Sequence, residues 1–264
     1  MSQRKLAVAG TFYPERKEEV QRYFEHFNKV LDENNITVDR NLKPRSIIVP
    51  HAGYIYSGFT ANIAYKYIPK DIDNIIVIGP SHKFAFSGAS IALYDSYPTP
   101  FGALDINLQL SNSLMNKFDF LSFNEQVHCE HSTEVQFPFI KYYHKNAKVV
   151  EIVYSDCDFN NIAQVIDVLL QDPKNCVVVS TDLSHFYSLN NAKLRDNVCL
   201  DAIQTRNLDV MNQGCEACGA IGVKAMIQVA NSLDLKPTIL DYRTSADTSA
   251  DESSVVGYTS IVFT

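Results

Sequence analysis

The sequence has no apolar run long enough to cross a membrane. Its longest runs, such as Ile75 to Ile78 and Cys176 to Val179, are strand-sized. The opening MSQRKLAVAGTFYP carries two basic residues but no apolar stretch of signal-peptide length, so a cytoplasmic location is expected. No cluster of Lys or Arg stands out and the net charge is -7, which argues against nucleic acid as a partner. Cysteine is sparse. The six present (Cys129, Cys157, Cys176, Cys199, Cys215 and Cys218) are scattered and expected to be reduced. Cys176, in a Cys-Val-Val-Val run, reads as core packing.

Several chemical signatures are also missing. Neither a G-x-G-x-x-G nor a Walker A loop is present, which removes the usual nucleotide-binding fingerprints. There is no Gly-x-Ser-x-Gly elbow and no His-Glu-x-x-His zinc-protease order. With no internal repeat, low-complexity tract or linker, residues 1–264 are expected to form a single domain.

What is present is the composition of an ordinary globular chain, 46% hydrophobic and 20% charged, able to bury a full core. Val20, Phe24, Phe27 and Leu31 recur at helical spacing and predict a helix to Asn34. The polar stretch 35–45 reads as a connector. Buried strands are expected at 46–49, stopped by Pro50, and at 74–78, stopped by Gly79-Pro80, with a helix over 59–67 between them. Residues 87–106 suggest short strands or a hairpin, followed by a helix over 108–118. Ser132 or Thr133 is a candidate cap for a helix carrying Val135, Phe139 and Tyr142. Asp158 is the expected cap of the amphipathic helix with Ile162, Val165, Ile166, Leu169 and Leu170. Strands at 148–153, 176–179, 236–242 and 255–263, and helices over 191–205 and 218–230, complete the pattern. The alternation predicts an α/β fold, a mostly parallel or mixed central sheet with helices on both faces.

The chemistry lies in where the histidines fall. His51, His82 and His185 each follow a buried strand, and in an open α/β sheet ligands bind outside the carboxyl ends of strands. One histidine there would read as a strand terminator with local hydrogen bonds. Three in matching positions favour a shared site. Asp182, three residues before His185, can orient an imidazole for acid–base work or cap a turn. His128, Glu130, His131 and Glu134 place two imidazoles and two carboxylates within seven residues, although Glu134 also suits a capping box. Cys215-Glu-Ala-Cys218 is formally a C-x-x-C, but its late position does not match a thioredoxin-like motif and no second Cys/His pair accompanies it. Cys218 beside Gly219 reads either as a thiolate near a helix N-terminus or as a buried structural cysteine.

Six ordered motifs carry a resemblance. Ala9-Gly-Thr-Phe-Tyr-Pro14, Pro50-His-Ala-Gly-Tyr54, Gly79-Pro-Ser-His82, Glu130-His-Ser-Thr-Glu134, Ser180-Thr-Asp-Leu-Ser-His185 and Cys218-Gly219 occur in the order seen in Memo proteins. That family includes prokaryotic members called AmmeMemoRadiSam system protein B. It is similar in fold to class III extradiol dioxygenases, which hold non-haem iron. The resemblance implies His51, His82 and Cys218 as metal ligands, His185 with Asp182 as acid–base residues, and Tyr54 and His131 as cleft-lining residues. It implies iron, with copper or zinc compatible with a thiolate in the set. The function implied is metal-dependent oxidoreductase chemistry of dioxygenase type on an unknown small molecule or peptide, with a radical-SAM enzyme and an AMMECR1-type protein as partners. The alternatives are a non-catalytic peptide- or protein-binding module using the same cleft, and a metal-assisted hydrolase.

Overall fold

The apolar runs of the sequence become the centre of one mixed sheet. The computed structural model describes residues 3–34 and 42–264, so most of the expected 35–45 connector lies outside the described residues. The strands are β1 (Ser46–Val49), β2 (Asn74–Pro80), β3 (Ala89–Ile91), β4 (Ser96–Tyr97), β5 (Leu104–Asp105), β6 (Leu121–Ser122), β7 (Lys148–Tyr154), β8 (Asn175–Ser180), β9 (His185–Tyr187), β10 (Pro237–Thr244) and β11 (Val255–Phe263). The helices are α1 (Lys17–Glu33), α2 (Tyr54–Tyr67), α3 (Leu108–Lys117), α4 (His131–Glu134), α5 (Phe137–Tyr143), α6 (Phe159–Leu170), α7 (Leu189–Gln204), α8 (Leu208–Met211), α9 (Ala220–Ser232) and α10 (Ala246–Ser249).

Among the described residues, nine strands form one sheet in the order β10-β11-β1-β8-β2-β7-β3-β6, with β9 added on β11. β4 and β5 make a separate hairpin. The central strands β1-β8-β2-β7 are all parallel. β11 joins β1, and β3 joins β7, in the antiparallel sense. Both faces are covered, which is why the central strands read as unbroken apolar runs. Side chains alternate across the sheet, so Ile76, Ile78, Val177 and Val179 pack with α6 and α9 on one face. Ile75, Val77, Cys176 and Val178 pack with α1, α2 and α5 on the other. Cys176 is therefore a core residue, as its run suggested. Asp158 caps α6 through the Asn160 amide, as expected.

Four local features depart from the sequence reading. α2 begins at Tyr54 rather than Phe59. It is buried on most of its circumference, so its first turn shows no one-sided stripe to read. β2 runs through Gly79 to Pro80 because Pro80 occupies its last register position opposite Tyr154, and the Ser81 amide then donates to Tyr154 O. The helix expected from Ser132 or Thr133 is two pieces, α4 and α5, with Pro138 in the first turn of the second. Its cap is Glu130, whose carboxylate accepts the His131 and Ser132 amides. Finally, Cys199 and Cys215 are not reduced but form a disulfide. The end of α7 and the segment after α8 bring their Cα atoms to 4.7 Å, a proximity no local pattern announces.

Candidate metal centre

β1, β8 and β2 lie side by side and parallel, so their carboxyl ends open on one edge of the sheet. The second residue after each strand is His51, Asp182 and His82 respectively. Two glycines allow other segments to close on this edge. A Cβ on Gly79 would lie 2.7 Å from Ser132 Oγ, so only glycine lets α4 approach the end of β2. A Cβ on Gly219 would lie 2.6 Å from Thr181 Cβ, so glycine there lets Cys218 dock against the turn after β8.

His51 is buried and held at both ring nitrogens. Nδ1 lies 3.0 Å from Ser180 Oγ. That hydroxyl has one proton, which it donates to Ser132 O at 2.5 Å, and it also accepts from Gln136 Nε2 at 3.0 Å. The Nδ1 contact must then run from imidazole to hydroxyl, leaving Nε2 without a proton. Nε2 faces Cys218 Sγ at 3.3 Å and Asp182 Oδ2 at 3.9 Å. Burial, followed by the neighbouring His131 and His82, pushes the His51 pKa well down.

Cys218 Sγ accepts the Asp182 amide at 3.2 Å. Burial, followed by the Asp182 carboxylate, pushes its thiol up to about 12, which favours the second of the two sequence readings, a buried cysteine, as long as no cation is bound. Burial also raises Asp182, against the hydrogen bond from the His51 amide to its Oδ1 at 2.7 Å. Asp182 thus holds His51 as well as acting on His185, the histidine its position in the sequence suggested.

On the opposite wall, buried Glu130 serves two histidines. Its carboxylate takes the His82 amide at 2.7 Å, His82 Nδ1 at 3.2 Å and His131 Nδ1 at 2.7 Å. Burial would raise its pKa, but the hydrogen bonds from His131 and His82 win and hold it far below the usual carboxylate range. The three imidazoles form a triangle, with ring centroids 5.2 Å apart for His51–His82, 5.3 Å for His51–His131 and 4.5 Å for His82–His131.

The donor atoms of His51, His82 and Cys218 lie within 4.8 Å of one another, and those of His82, Glu130 and His131 do likewise. The first group is the set named by the resemblance. It offers two imidazoles and a thiol, and His51 already carries the tautomer that presents Nε2, so the residues fit a borderline or soft transition-metal ion. His82 is exposed and His51 buried, so the cluster is deep on one side and open on the other.

The remaining residues divide. His185 opens β9, half-buried, its ring against the exposed Phe186. Its charge reaches His51 and Asp182. His131 joins the cluster and packs against Phe12 at 4.8 Å. Tyr54 lines a cavity with Phe12 and Tyr56, its ring otherwise packed against Tyr13, Phe24 and Phe139 and its hydroxyl donated to Val135 O. His128 leaves the cluster altogether and pairs with buried Glu151 at 2.7 Å. Glu134 is no capping partner. It binds Arg4 and accepts the Ala7 and Val8 amides, tying the N-terminal segment to α4. Ser180 and Gln136 escaped the sequence reading as parts of the site, although Ser180 sits inside a quoted motif. Glu130 was read as a possible ligand beside His128 and His131, and the structure sets it beside His82 and His131.

These features define a class: α/β proteins with a mixed, doubly covered sheet and a His–His–Cys cluster at the carboxyl edge of its parallel strands. The chain belongs to the Memo-like family, whose model, described as "Memo-like protein", matches residues 4–262. It is 31% identical to a MEMO1 family protein of Aquifex aeolicus over all of both chains. A MEMO1 family protein of Sulfolobus acidocaldarius is 33% identical, over 97% of this chain and 98% of that one. In fold it is similar to the crystal structure of uncharacterized protein JW3007 from Escherichia coli K12. The TM-score is 0.52 at 11% identity, over 83% of this chain and 99% of that chain.

Proposed function

We propose that this protein binds a transition-metal ion through His51, His82 and Cys218 and uses it in redox chemistry on a small organic molecule or peptide. The observation that carries the reading is the meeting of a bare His51 Nε2, the Cys218 sulfur and the His82 ring within 4.8 Å. A thiolate in the set favours iron or copper over hard-ligand ions, and zinc also suits it. Iron is the element the family resemblance favours. The ion would supply Lewis acidity and electron transfer at an open coordination position.

The chain's own residues do the rest. Asp182 fixes the His51 backbone, Ser180 fixes its tautomer, and His185 at the mouth moves a proton on bound substrate. Among the described residues, no helix is long and apolar enough to cross a membrane. Cytoplasmic residence is proposed from the sequence reading, and cooperation with a radical-SAM enzyme and an AMMECR1-type protein from the resemblance alone.

Elemental analysis of protein purified without added metal tests the reading. Stoichiometric metal is expected in the wild type, with loss in both His51→Ala and Cys218→Ala. Metal content unchanged in both variants would overturn it.

A further inference from the structure

We infer that Glu130 is the positioning residue of this centre. One buried carboxylate sets the tautomer of two imidazoles at once, so that His82 and His131 both turn Nε2 toward the cleft. The inference rests on the metal-binding reading for its consequence but not for its geometry.

The trio His82, Glu130 and His131 could be read as a second ion site, since its donor atoms cluster as closely as the first group. The hydrogen bonds argue otherwise. Oε2 accepts the His82 amide at 2.7 Å. Oε1 accepts the His131 amide at 2.9 Å, the Ser132 amide at 3.3 Å, and faces His82 Nδ1 at 3.2 Å and His131 Nδ1 at 2.7 Å. Oε1 faces four N–H groups, more than its two lone pairs can serve, and Oε2 already takes a fifth. Binding an ion through Oε1 would strip the cap from α4 and release both rings. The carboxylate therefore belongs behind the histidines.

From that position its effect on them is specific. A carboxylate is acceptor only, so each Nδ1 facing it must carry the proton, and the opposite nitrogen of each ring is the basic one. Ser180 imposes the same choice on His51 by the hydroxyl argument above. All three imidazoles of the triangle thereby share one tautomer, although two different devices set it. His82 is exposed, so beside its contacts with the His51 and His131 rings Glu130 supplies restraint that burial supplies for His51. A carboxylate behind an imidazole also raises its basicity as a ligand.

The variant is Glu130→Gln, which keeps size and shape but puts an NH2 group where one oxygen accepted. Long-range nitrogen–proton NMR of the metal-free protein reads tautomers directly. The wild type is expected to show His82 and His131 protonated at Nδ1, and Glu130→Gln to shift at least one of them toward Nε2–H. Binding of zinc, used as the probe ion, should weaken about 10- to 100-fold in the variant, the range for loss of such a partner. Wild-type protein with His82 or His131 protonated at Nε2 would overturn the inference without any variant, so a misfolded Glu130→Gln leaves it testable. A folded variant with unchanged tautomers and unchanged zinc affinity would also overturn it while leaving metal binding intact. Wild-type protein with the expected tautomers and no affinity for zinc, iron or copper would instead remove the functional reading and leave the positioning role standing.

Discussion

At the scale of single residues, His144 shows what burial does to an imidazole near a cation. His144, at the end of α5, is 5% exposed, and its Nδ1 is buried without a hydrogen-bond partner among the described residues. Burial, with the Lys70 ammonium nearby, lowers its pKa from 6.5 to about 4. Between those values the unfolded chain takes up a proton that the folded chain refuses. The contribution of His144 is therefore fully present above pH 6.5 and lost as the pH falls toward 4. A shift of this size corresponds to about 3 kcal/mol at most. Replacing the ring with a carbocycle, His144→Phe, should flatten the fall in stability between pH 6.5 and 4, measured by denaturant unfolding at a series of pH values. An identical pH profile for variant and wild type would contradict it. Legibility also divides at this scale. His51 and His82 could be placed because each follows an apolar strand, which is a local signal. Asp182 was seen beside His185, but its contact with His51 was not, because that contact crosses from β8 to β1 and leaves no trace in sequence spacing. The roles of Ser180 and Gln136 depend wholly on that packing.

At the scale of elements, one-sided apolar patterns were read well and all-round burial was not. α1 and α6 present clean stripes and lie where those stripes put them. The first turn of α2 and the break between α4 and α5 depend on burial, a proline and a side-chain cap supplied by Glu130. The disulfide is of the same kind. It joins α7 to the segment after α8 across a separation of 16 residues, just upstream of Cys218. Closing a loop of that length restricts the unfolded chain and stabilises the fold by about 3 kcal/mol. The double variant Cys199→Ser/Cys215→Ser should unfold at lower denaturant than the wild type without reductant, and the two should converge when reductant is added. Coincident midpoints without reductant would show that the bond contributes nothing.

At the scale of the whole molecule, the alternation of strands and helices announced a doubly covered α/β sheet, but the order of its strands stayed hidden. β8 lies between β1 and β2 although more than 90 residues separate it from either in the chain, and only that insertion brings Asp182 between His51 and His82. Cys218 arrives later still, on the turn before α9, and meets His51 through the close approach that Gly219 permits. The family motifs made the membership of the cluster legible. The sheet order explains why those motifs, spread over most of the chain, converge. The central claim is that the cluster is a metal centre with a sulfur ligand. X-ray absorption at the metal edge of protein purified under anaerobic conditions tests it most directly. The account predicts a sulfur scatterer at about 2.3 Å together with imidazole nitrogens near about 2.0–2.1 Å, if the ion is zinc-like in size, and loss of the sulfur shell in Cys218→Ala. A first shell built only from oxygen and nitrogen in the wild type would contradict it.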